Sequence, residues 1–298
     1  QRPKPRIEVI DFSEDGDDQK FWVDGLVGPG LLTLWAAEPK TGKAQKVSGG
    51  VLTPPGWVPM GSLRPGDGVI AGDGTPTRVT QVHPQGVQDI YHVTFLDGTH
   101  VDVTSDHLWA VRERSNGGRV REAVLSTKEI ASSLQTPDGK NRYSVPFPEP
   151  VQFRSGPVPL DPYTLGVLLG DGCFRGANPT LVNQEGDFIR RLRRRLPGLH
   201  LGSDGRTWRW DSAMTEEALE RLGLWGLASH EKFIPDAYQY GDVDTRISVL
   251  RGLLDADGSV TKPNTSLIEY STTSPQLRDD VTFLARSLGA KVTVTGRE

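Results

Sequence analysis

The stretch Leu250-Arg-Gly-Leu-Leu-Asp-Ala-Asp257-Gly258 is the strongest indication of fold in the second half of the chain. A looser copy, Leu165-Gly-Val-Leu-Leu-Gly-Asp171-Gly172, lies upstream at a spacing typical of a small domain. Each copy is largely apolar and then stops at an Asp-Gly pair, where glycine favours the end of a helix. The repeat therefore predicts two related helices, each ending at an aspartate.

Small residues recur four positions apart in both copies, which predicts how the two helices meet. Gly166 and Gly170 share one face of the first helix, and Gly252 and Ala256 share the equivalent face of the second. Without side-chain bulk on these faces, the helices can approach backbone to backbone. Their packing is expected to bring the two terminal aspartates together at one end of the pair.

Two carboxylates close together in polar surroundings predict a magnesium site. Mg²⁺ prefers oxygen ligands, and such a centre can position water and a scissile phosphate for in-line hydrolysis. Asp171 and Asp257 are therefore the candidate catalytic and metal-binding residues of this half of the chain.

The segments that flank the two copies repeat as well. Each motif is followed by strand-like sequence, a helical segment with a glycine after it, and a further strand. The first copy continues through a hairpin-like segment and a helix, whereas the second stops after one strand. The predicted segments are 180–184, 188–196, 207–210 and 215–222 in the first copy, and 267–272, 276–288 and 291–295 in the second.

The duplicated motif resembles the LAGLIDADG, or DOD-type, homing endonucleases. The second copy departs from the family name only at Arg251 and Leu254. The resemblance implies an α/β endonuclease over 151–298, with two pseudo-symmetric αββαββα repeats, the second of them truncated at its C-terminal end. It also implies an enzyme that is monomeric through its internal duplication and that cuts double-stranded DNA with Mg²⁺.

A lysine between the two motifs extends this resemblance. Lys232 stands in Glu-Lys-Phe-Ile-Pro at 231–235, which is similar to the Lys-x-Ile-Pro segment of intein endonucleases. A lysine near the active site can stabilise phosphate charge or orient water. The alternative is an ordinary lysine exposed at the surface.

DNA contacts are expected on strands, because the strands of this family's sheets enter the major groove. Successive strand residues face opposite sides, so Arg209 is expected to face away from its two tryptophan neighbours. A run of arginines at 190–195 offers phosphate contacts, although a solvated helix face explains it more simply. The candidate DNA-binding residues are Trp208, Arg209, Trp210, Arg190, Arg193 and Arg194.

Residues 44–150 form a different, β-rich region. Short alternating segments at 91–95 and 100–104 are separated by turn signals, and prolines accumulate from 146 onward, where a linker is expected. One helix is expected at 127–134, with Ser126 as its N-cap. The pattern predicts a domain of short strands.

This β-rich region resembles the N-terminal half of a Hint-type intein splicing domain. The segments that carry the resemblance are Val51-Leu-Thr, Gly56-Trp57, Gly66-Asp67 and, most specifically, Thr104-Ser-Asp-His107. In the family this Thr-x-x-His box lies beside the upstream splice junction, and its histidine helps to break the peptide bond there. Histidine can deliver a proton near neutral pH, so the candidate splicing residues are Thr104, Asp106 and His107.

An apolar, strand-like run leads into Ala37-Glu-Pro-Lys-Thr-Gly42-Lys43. This loop resembles the Walker A loop of RecA-like ATPases, such as RepA- or DnaB-like proteins, whose backbone amides and lysine cradle phosphates. The Ser or Thr that should follow Lys43 is missing. We therefore expect residues 1–43 to be an upstream host segment, with a splice junction between Lys43 and Ala44. Gly42 and Lys43 would then bind the phosphates of ATP only in the spliced host protein.

Ala44 departs from the usual first residue of an intein, a Cys or Ser that acts as nucleophile. Three explanations stay open: an engineered or decayed cysteine, a dead intein, or the class in which an internal Cys attacks the junction directly. That class, class 3, carries a Trp two residues after the box histidine, where Trp109 stands. Trp109 is expected to pack against the incoming sulfur, the alternative being a core residue of the β-rich region.

Composition excludes several classes of protein. The chain has 298 residues, one cysteine and a formal net charge of −4, so a disulfide framework and a four-cysteine zinc site are excluded. Any DNA contact must come from local patches. No apolar run is long enough to span a membrane, and a cytoplasmic setting is the default for a chain with so few cysteines.

The chain reads as a fragment of an intein that interrupts a P-loop ATPase, with its endonuclease directed against the intein-free allele. Two other functions stay open. One is an autoprocessing Hint module that cleaves without ligation, and the other is a plain P-loop ATPase.

Overall fold

The computed structural model describes most of the chain, in two compact units. The described residues are 6–10, 45–84, 86–96, 99–115, 117–175, 179–182, 186–196, 198–210, 213–260 and 267–295. One unit lies within 12–152, and the other combines 1–11 with 153–298. None of the helices in these ranges is long and apolar enough to cross a membrane. The strand-like run at 30–36, the Walker A-like loop and Ala44 lie outside the described residues.

The first strand of the chain, β1 (Arg6–Ile10), belongs to the unit that contains 153–298. The elements of the other unit, in chain order, are β2 (Gly50–Thr53), β3 (Gly56–Pro59), a 3-10 turn (Met60–Ser62), β4 (Gly68–Ile70), β5 (Pro76–Arg78), β6 (Ile90–Thr94), β7 (His100–Thr104), β8 (Leu108–Arg114), β9 (Val120–Ser126), α1 (Thr127–Ser132) and β10 (Tyr143–Ser144). Hairpins pair β2 with β3, β4 with β5 and β6 with β7, and β8 lies between β9 and β10. The β-rich character of this region is as the sequence predicts.

Alternating apolar residues turn one face of these short strands inward. In β7, Val101 and Val103 are buried, and the aspartate between them is partly exposed. Val51, Leu63 and Val69 pack together in a small core cluster. We refer to this part of the chain as the β unit.

Helix α1 begins at a capping box. The Ser126 Oγ accepts a hydrogen bond from the Glu129 backbone N–H, and the Glu129 carboxylate accepts one from the Ser126 N–H at 2.7 Å. The predicted N-cap is confirmed. The helix ends at Ser132 rather than at 134, because the Ser133 backbone leaves the helical conformation, with φ −154° and ψ 54°. The Leu134 carbonyl then accepts from the Arg142 N–H.

The second unit, called the α/β unit below, contains all the remaining elements. They are α2 (Pro162–Asp171), β11 (Gly172–Cys173), β12 (Thr180–Val182), α3 (Gly186–Arg195), β13 (Leu199–Leu201), β14 (Thr207–Trp210), α4 (Ala213–Arg221), a 3-10 turn (Ser229–Glu231), α5 (Asp236–Gln239), α6 (Val243–Asp257), β15 (Gly258–Val260), β16 (Leu267–Ser271), α7 (Pro275–Ser287) and β17 (Lys291–Thr295). The order helix, two strands, helix, strand occurs from α2 to β13 and again from α6 to β17.

Helices α2 and α6 form the centre of the α/β unit. Each begins at an aspartate N-cap: Asp161 accepts from the Thr164 N–H, and Asp242 accepts from the Thr245 N–H. Both helices bury apolar side chains, and burying each large one contributes about 2 kcal/mol. The fully buried residues of the pair include Leu165, Val167, Leu168, Val249 and Leu253.

Strand β1 completes the second sheet of the α/β unit. The first sheet has the order β11-β12-β14-β13, and the second has the order β15-β16-β1-β17. β1 is antiparallel to both of its neighbours, as β14 is in the first sheet. The described second repeat supplies only three strands of its own, and β1 pairs the backbone groups that β16 and β17 would otherwise leave open. The sequence pattern did not indicate this role for residues 6–10.

Candidate active site

Helices α2 and α6 approach so closely that only glycine fits where they cross. A Cβ added at Gly166 would clash with the backbone carbonyl of Val249, and one added at Gly252 would clash with that of Tyr163. A Cβ at Gly170 would lie 2.7 Å from the Cβ of Ala256. The small-residue faces expected from the sequence therefore lie against each other.

The two helices end side by side at their aspartates. Asp171 is the last residue of α2 and Asp257 the last of α6, and each is followed by a glycine whose N–H caps the helix. A carboxylate oxygen of Asp257 lies 3.5 Å from the position that a Cβ on Gly170 would occupy. The Asp257 carboxylate thus lies beside Gly170, the residue that precedes Asp171.

Lys232 lies at this end of α2, with its side chain buried rather than exposed at the surface. The carbonyl oxygens of four residues lie within hydrogen-bond distance of its ammonium nitrogen: Leu168 at 3.1 Å, Leu169 at 2.9 Å, Gly170 at 3.2 Å and Gly172 at 2.7 Å. The carbonyls at the end of a helix lack intrahelical partners. Lys232 therefore caps the helix that carries Asp171.

The electrostatics of the site link the lysine to both aspartates. Burial lowers the pKa of Lys232 to about 8, and the charges of Asp257 and Asp171 oppose that shift. Burial also raises the pKa of the Tyr270 hydroxyl, and the charges of Asp257 and Asp171 raise it further. Tyr270 is fully buried on β16, and sequence reasoning missed it because a strand tyrosine has no distinctive pattern.

The donor set suits a magnesium ion shared between protein and substrate. Mg²⁺ needs only one or two protein carboxylates and takes its other ligands from water and phosphate oxygens. Within the described ranges, no group of three or more His, Cys, Asp or Glu side chains could hold a metal ion. Asp171 and Asp257 therefore fit an ion completed by substrate better than an all-protein cage.

One face of the first sheet packs on the core and the other is open. Trp208 is directly opposite Leu181 in the β12–β14 pair and packs against the core. Arg209, the next residue, is exposed, and its cross-strand neighbours are Thr180 and His200. Arg209 and Trp208 thus face opposite sides, as expected, and only Arg209 is on the open side. The side chain of Trp210 lies outside the described part of the chain.

The arginines of α3 divide into two groups. Arg190, Arg193 and Arg194, the candidates for phosphate contact, are exposed. Arg191 instead pairs with Asp255 of α6 at 3.3 Å. Arg195 pairs with Asp161 at 3.5 Å and lies over the Tyr163 ring. Part of the basic run therefore binds α3 to the central helices, which a charge count alone could not indicate.

In the β unit, the Thr-x-x-His box forms the turn between β7 and β8. The His107 N–H donates to the Thr104 carbonyl at 3.2 Å. The first N–H groups of α1, from Thr127 and Lys128, donate to the carbonyls of His107 and Ser105 at 2.9 and 3.0 Å. Helix α1 thus holds the box by its N-terminal turn, which satisfies donors that a helix start leaves open.

Trp109 is buried and lies edge-on to His107, with 4.9 Å between the ring centroids. Its indole N–H donates to the Thr127 hydroxyl at 2.9 Å, and that hydroxyl contacts the His107 carbonyl at 3.3 Å. Trp109 therefore packs against the histidine from within the core of the β unit. Asp106 is exposed and accepts from the Ser105 hydroxyl at 3.1 Å.

The chain beyond the expected junction runs beside the box. Gln45 forms an antiparallel bridge with Val103, the residue before Thr104. The next residue, Lys46, donates its N–H to the Asp102 carbonyl at 3.4 Å, and its ammonium lies 3.6 Å from the Asp102 carboxylate. The residue after Ala44 is thus next to β7, whereas Gly42, Lys43 and Ala44 lie outside the described residues.

Three buried polar residues near Lys232 and α6 were not found from the sequence. Asp280 and Ser274 contact the backbone of residues 232–234, called the Lys232 segment below. Arg246 is fully buried and donates to the Gly241 and Ser287 carbonyls. Charged residues are rarely buried unless they are paired. A single sequence cannot distinguish such residues from ordinary surface charges.

Comparison with known proteins supports the family assignment of the C-terminal part. Residues 244–298 match the LAGLIDADG-like domain. The chain is 30% identical over 286 residues to the replicative DNA helicase DnaB of Mycobacterium intracellulare, covering 90% of this chain and 45% of that relative. It is 35% identical over 82 residues to the replicative DNA helicase DnaB of Mycobacterium leprae (strain TN), covering 27% of this chain and 14% of that relative.

The chain thus carries a LAGLIDADG-like domain in its α/β unit. It is also similar, over most of its own length but less than half of the relative's, to a DnaB helicase. The two findings together fit an intein carried by a DnaB-like host.

Proposed function

We propose that the α/β unit is a homing endonuclease that cuts double-stranded DNA at the intein-free allele of its host gene. The observation that carries this proposal is the convergence of Asp171, Asp257 and Lys232 at the adjoining ends of α2 and α6. Two carboxylates in a single place can hold a metal ion for phosphodiester hydrolysis, and Lys232 caps the helix that carries one of them. Because the unit carries both motifs in one chain, it would act as a monomer.

In this proposal Asp171 and Asp257 hold Mg²⁺, which would supply charge neutralisation at the scissile phosphate and a more acidic water when bound. The close packing of α2 and α6 gives the two carboxylates a common position. Tyr270 is fully buried close to them, because its hydroxyl feels the charges of both Asp257 and Asp171. Asp171 and Asp257 are both partly exposed, so substrate could reach their carboxylates.

The open face of the first sheet would contact the major groove. Arg209 presents its guanidinium there, and arginine pairs well with guanine edges or with phosphate. Thr180 and His200 lie beside it on the neighbouring strands. Arg190, Arg193 and Arg194 would add at most phosphate contacts from α3.

The test is DNA cleavage by the full-length protein in the presence of Mg²⁺. One plasmid carries the host sequence joined as it is after splicing, and a matched plasmid carries the same flanks interrupted by the intein sequence. We expect cutting of the first plasmid only. Cutting of neither plasmid, or of both at equal rates, would contradict a homing endonuclease.

We propose splicing as a second function, for the β unit. The specific observation that favours it is the bridge between Gln45 and Val103, which brings the chain after Ala44 next to the Thr104–His107 box. A junction beside the box is what the chemistry needs, because His107 must reach the amide nitrogen of the Lys43–Ala44 bond. Trp109 and Thr127 would support the histidine from below.

In this second proposal a nucleophile attacks the Lys43 carbonyl, the bond to Ala44 breaks, and His107 gives a proton to the departing amine. Ala44 has no nucleophile of its own. Cys173, the one cysteine of the chain, follows Gly172 at the end of α2, beside Lys232 of the candidate nuclease site, which argues against a part in splicing. The attacking thiol would therefore come from elsewhere in the full-length protein, as in class 3 inteins.

Expression of the full-length protein tests the splicing proposal. We expect excision of the intein and a joined host that contains Lys43 followed by Ser or Thr, and loss of both in His107→Ala. Cleavage without joining would instead indicate an autoprocessing Hint module. ATP binding by the unspliced chain would favour a plain P-loop ATPase, because in our proposal Gly42 and Lys43 bind ATP only in the spliced DnaB-like host.

A further inference from the structure

Lys232 connects two parts of the α/β unit through its side chain and its backbone. The side chain donates to the carbonyls at the end of α2, as described above. The backbone of the same segment is held by α7. The Ser274 hydroxyl donates to the Lys232 carbonyl at 2.6 Å, and the Asp280 carboxylate accepts from the Ile234 N–H at 2.8 Å.

The two anchors on α7 are well buried. Ser274 is 0% exposed and Asp280 is 3% exposed. Ser274 is also the N-cap of α7, and the second carboxylate oxygen of Asp280 accepts from Gln276 at 2.7 Å. Both side chains therefore link α7 to the Lys232 segment through buried hydrogen bonds.

We propose that Ser274 and Asp280 are positioning residues for the nuclease reaction. They hold Lys232 on the end of α2, and Lys232 in turn fixes the Asp171 carboxylate against that of Asp257. This inference rests on the proposed endonuclease function. It assigns to the second repeat a part in arranging the aspartate of the first.

The hydrogen bonds of Lys232 explain why it acts through α2. An ammonium has three N–H donors, and four carbonyl oxygens lie within 3.2 Å of its nitrogen. A lysine that swung toward a DNA phosphate would lose these buried hydrogen bonds, and each buried carbonyl left without a partner would cost about 1–3 kcal/mol. The Lys232 donors therefore bind the carbonyls at the end of α2, and that helix end holds Asp171 in the metal site.

The sign of one effect separates positioning from simple electrostatics. As a bare positive charge near two carboxylates, Lys232 would repel a cation, so Lys232→Met would bind metal more tightly. As a positioning residue, its loss would free the end of α2, and Lys232→Met would bind metal more weakly. The two readings predict opposite changes from the same substitution.

The test measures Mn²⁺ binding to the full chain, from the loss of the free-ion EPR signal. We expect about tenfold weaker binding in Lys232→Met and in Asp280→Ala, in line with other groups that orient metal ligands. Asp279→Ala is the matched control. The Asp279 side chain is 60% exposed and pairs with Arg278, so Mn²⁺ binding by this variant should equal that of the wild type.

A second readout needs no metal. In the metal-free chain, amide hydrogen exchange at 171–173 should be faster in Lys232→Met, Asp280→Ala and Ser274→Ala than in the wild type or Asp279→Ala. If Lys232→Met does not fold, both quantities are measured on Asp280→Ala and Ser274→Ala.

The outcomes separate the inference from the function on which it rests. Mn²⁺ binding that is unchanged or tighter in these variants, with unchanged exchange at 171–173, would overturn the positioning role. A wild-type chain that binds no Mn²⁺, or one whose binding survives both Asp171→Asn and Asp257→Asn, would overturn the proposed metal site and the inference with it.

Discussion

Gly166 and Gly252 face each other where α2 and α6 cross, and a side chain on either one would run into the backbone of the opposite helix. The two aspartates can share a site only because these two positions lack a Cβ. The pair is thus a structural requirement of the candidate active site as well as of the core.

Gly252→Ala should destabilise the α/β unit by about 3 kcal/mol, because the added methyl overpacks against a backbone that cannot move aside. Thermal unfolding measures the loss as a lower Tm. Gly186→Ala is the control, since a Cβ there meets nothing within 4 Å. Equal stability of the two variants would show that the helices are not in close contact.

Asp280 should make stability depend on pH. Burial raises its pKa to about 6 from the ordinary value of 3.8, even though bonds from Ile234 and Gln276 oppose the shift. The folded state then binds the proton more tightly than the unfolded state, so this stabilisation is present at low pH and is lost as pH rises through 6.

Urea unfolding at two pH values measures this effect. Relative to Asp280→Asn, which does not titrate, the wild type should gain about 1 kcal/mol between pH 7.5 and pH 5. Asp279→Asn is the control and should keep most of the wild-type gain, because burial, not the charge of Asp279, is the main cause of the raised pKa. A wild-type gain no larger than that of Asp280→Asn would show that Asp280 keeps an ordinary pKa.

Thr127→Val should slow cleavage at the Lys43–Ala44 bond about tenfold in the full-length protein, since general acid catalysis depends on the position of the acid. The substitution removes the hydroxyl that joins the Trp109 indole to the His107 carbonyl. Thr127→Ser should restore most of the rate. Thr136→Val, at another buried threonine of the β unit, should leave the rate unchanged, and an equal loss there would point to a general loss of stability.

Arg209→Ala should weaken DNA binding and lower the dependence of affinity on salt, as expected when one charged contact is removed. Trp208→Ala should act differently, by lowering stability, because Trp208 packs on the core. Binding titrations at several salt concentrations, with Arg193→Ala on α3 for comparison, measure the difference. Unchanged binding in Arg209→Ala would mean that the open face of the first sheet does not contact DNA.

The sequence predicted the local elements well where a pattern had one physical cause. The strand at 100–104 coincides with β7, and the helices expected at 188–196 and 276–288 appear as α3 and α7 within one or two residues. The helix contact followed from small residues four apart, because only close packing requires them. These predictions needed no knowledge of distant parts of the chain.

The sequence could not predict features that depend on long-range contacts. β1 fills a gap in a sheet whose other strands lie more than 240 residues away. Lys232 was identified as part of the site, yet its bonds to α2 depend on how the segment folds back. Asp280 and Thr127 are polar residue types that usually lie at the surface, and only the structure shows that both are buried.

Cleavage of a duplex that carries the joined host site is the decisive experiment for the candidate active site. The full-length wild-type protein should cut it with Mg²⁺, whereas Asp171→Asn and Asp257→Asn should each still bind the duplex but not cut it, because each loses a metal ligand. Asp236→Asn, which changes an exposed aspartate on α5, should cut normally. Cutting that persists in both Asp171→Asn and Asp257→Asn would contradict the account, since α2 and α6 would then be a structural pair and not the active site.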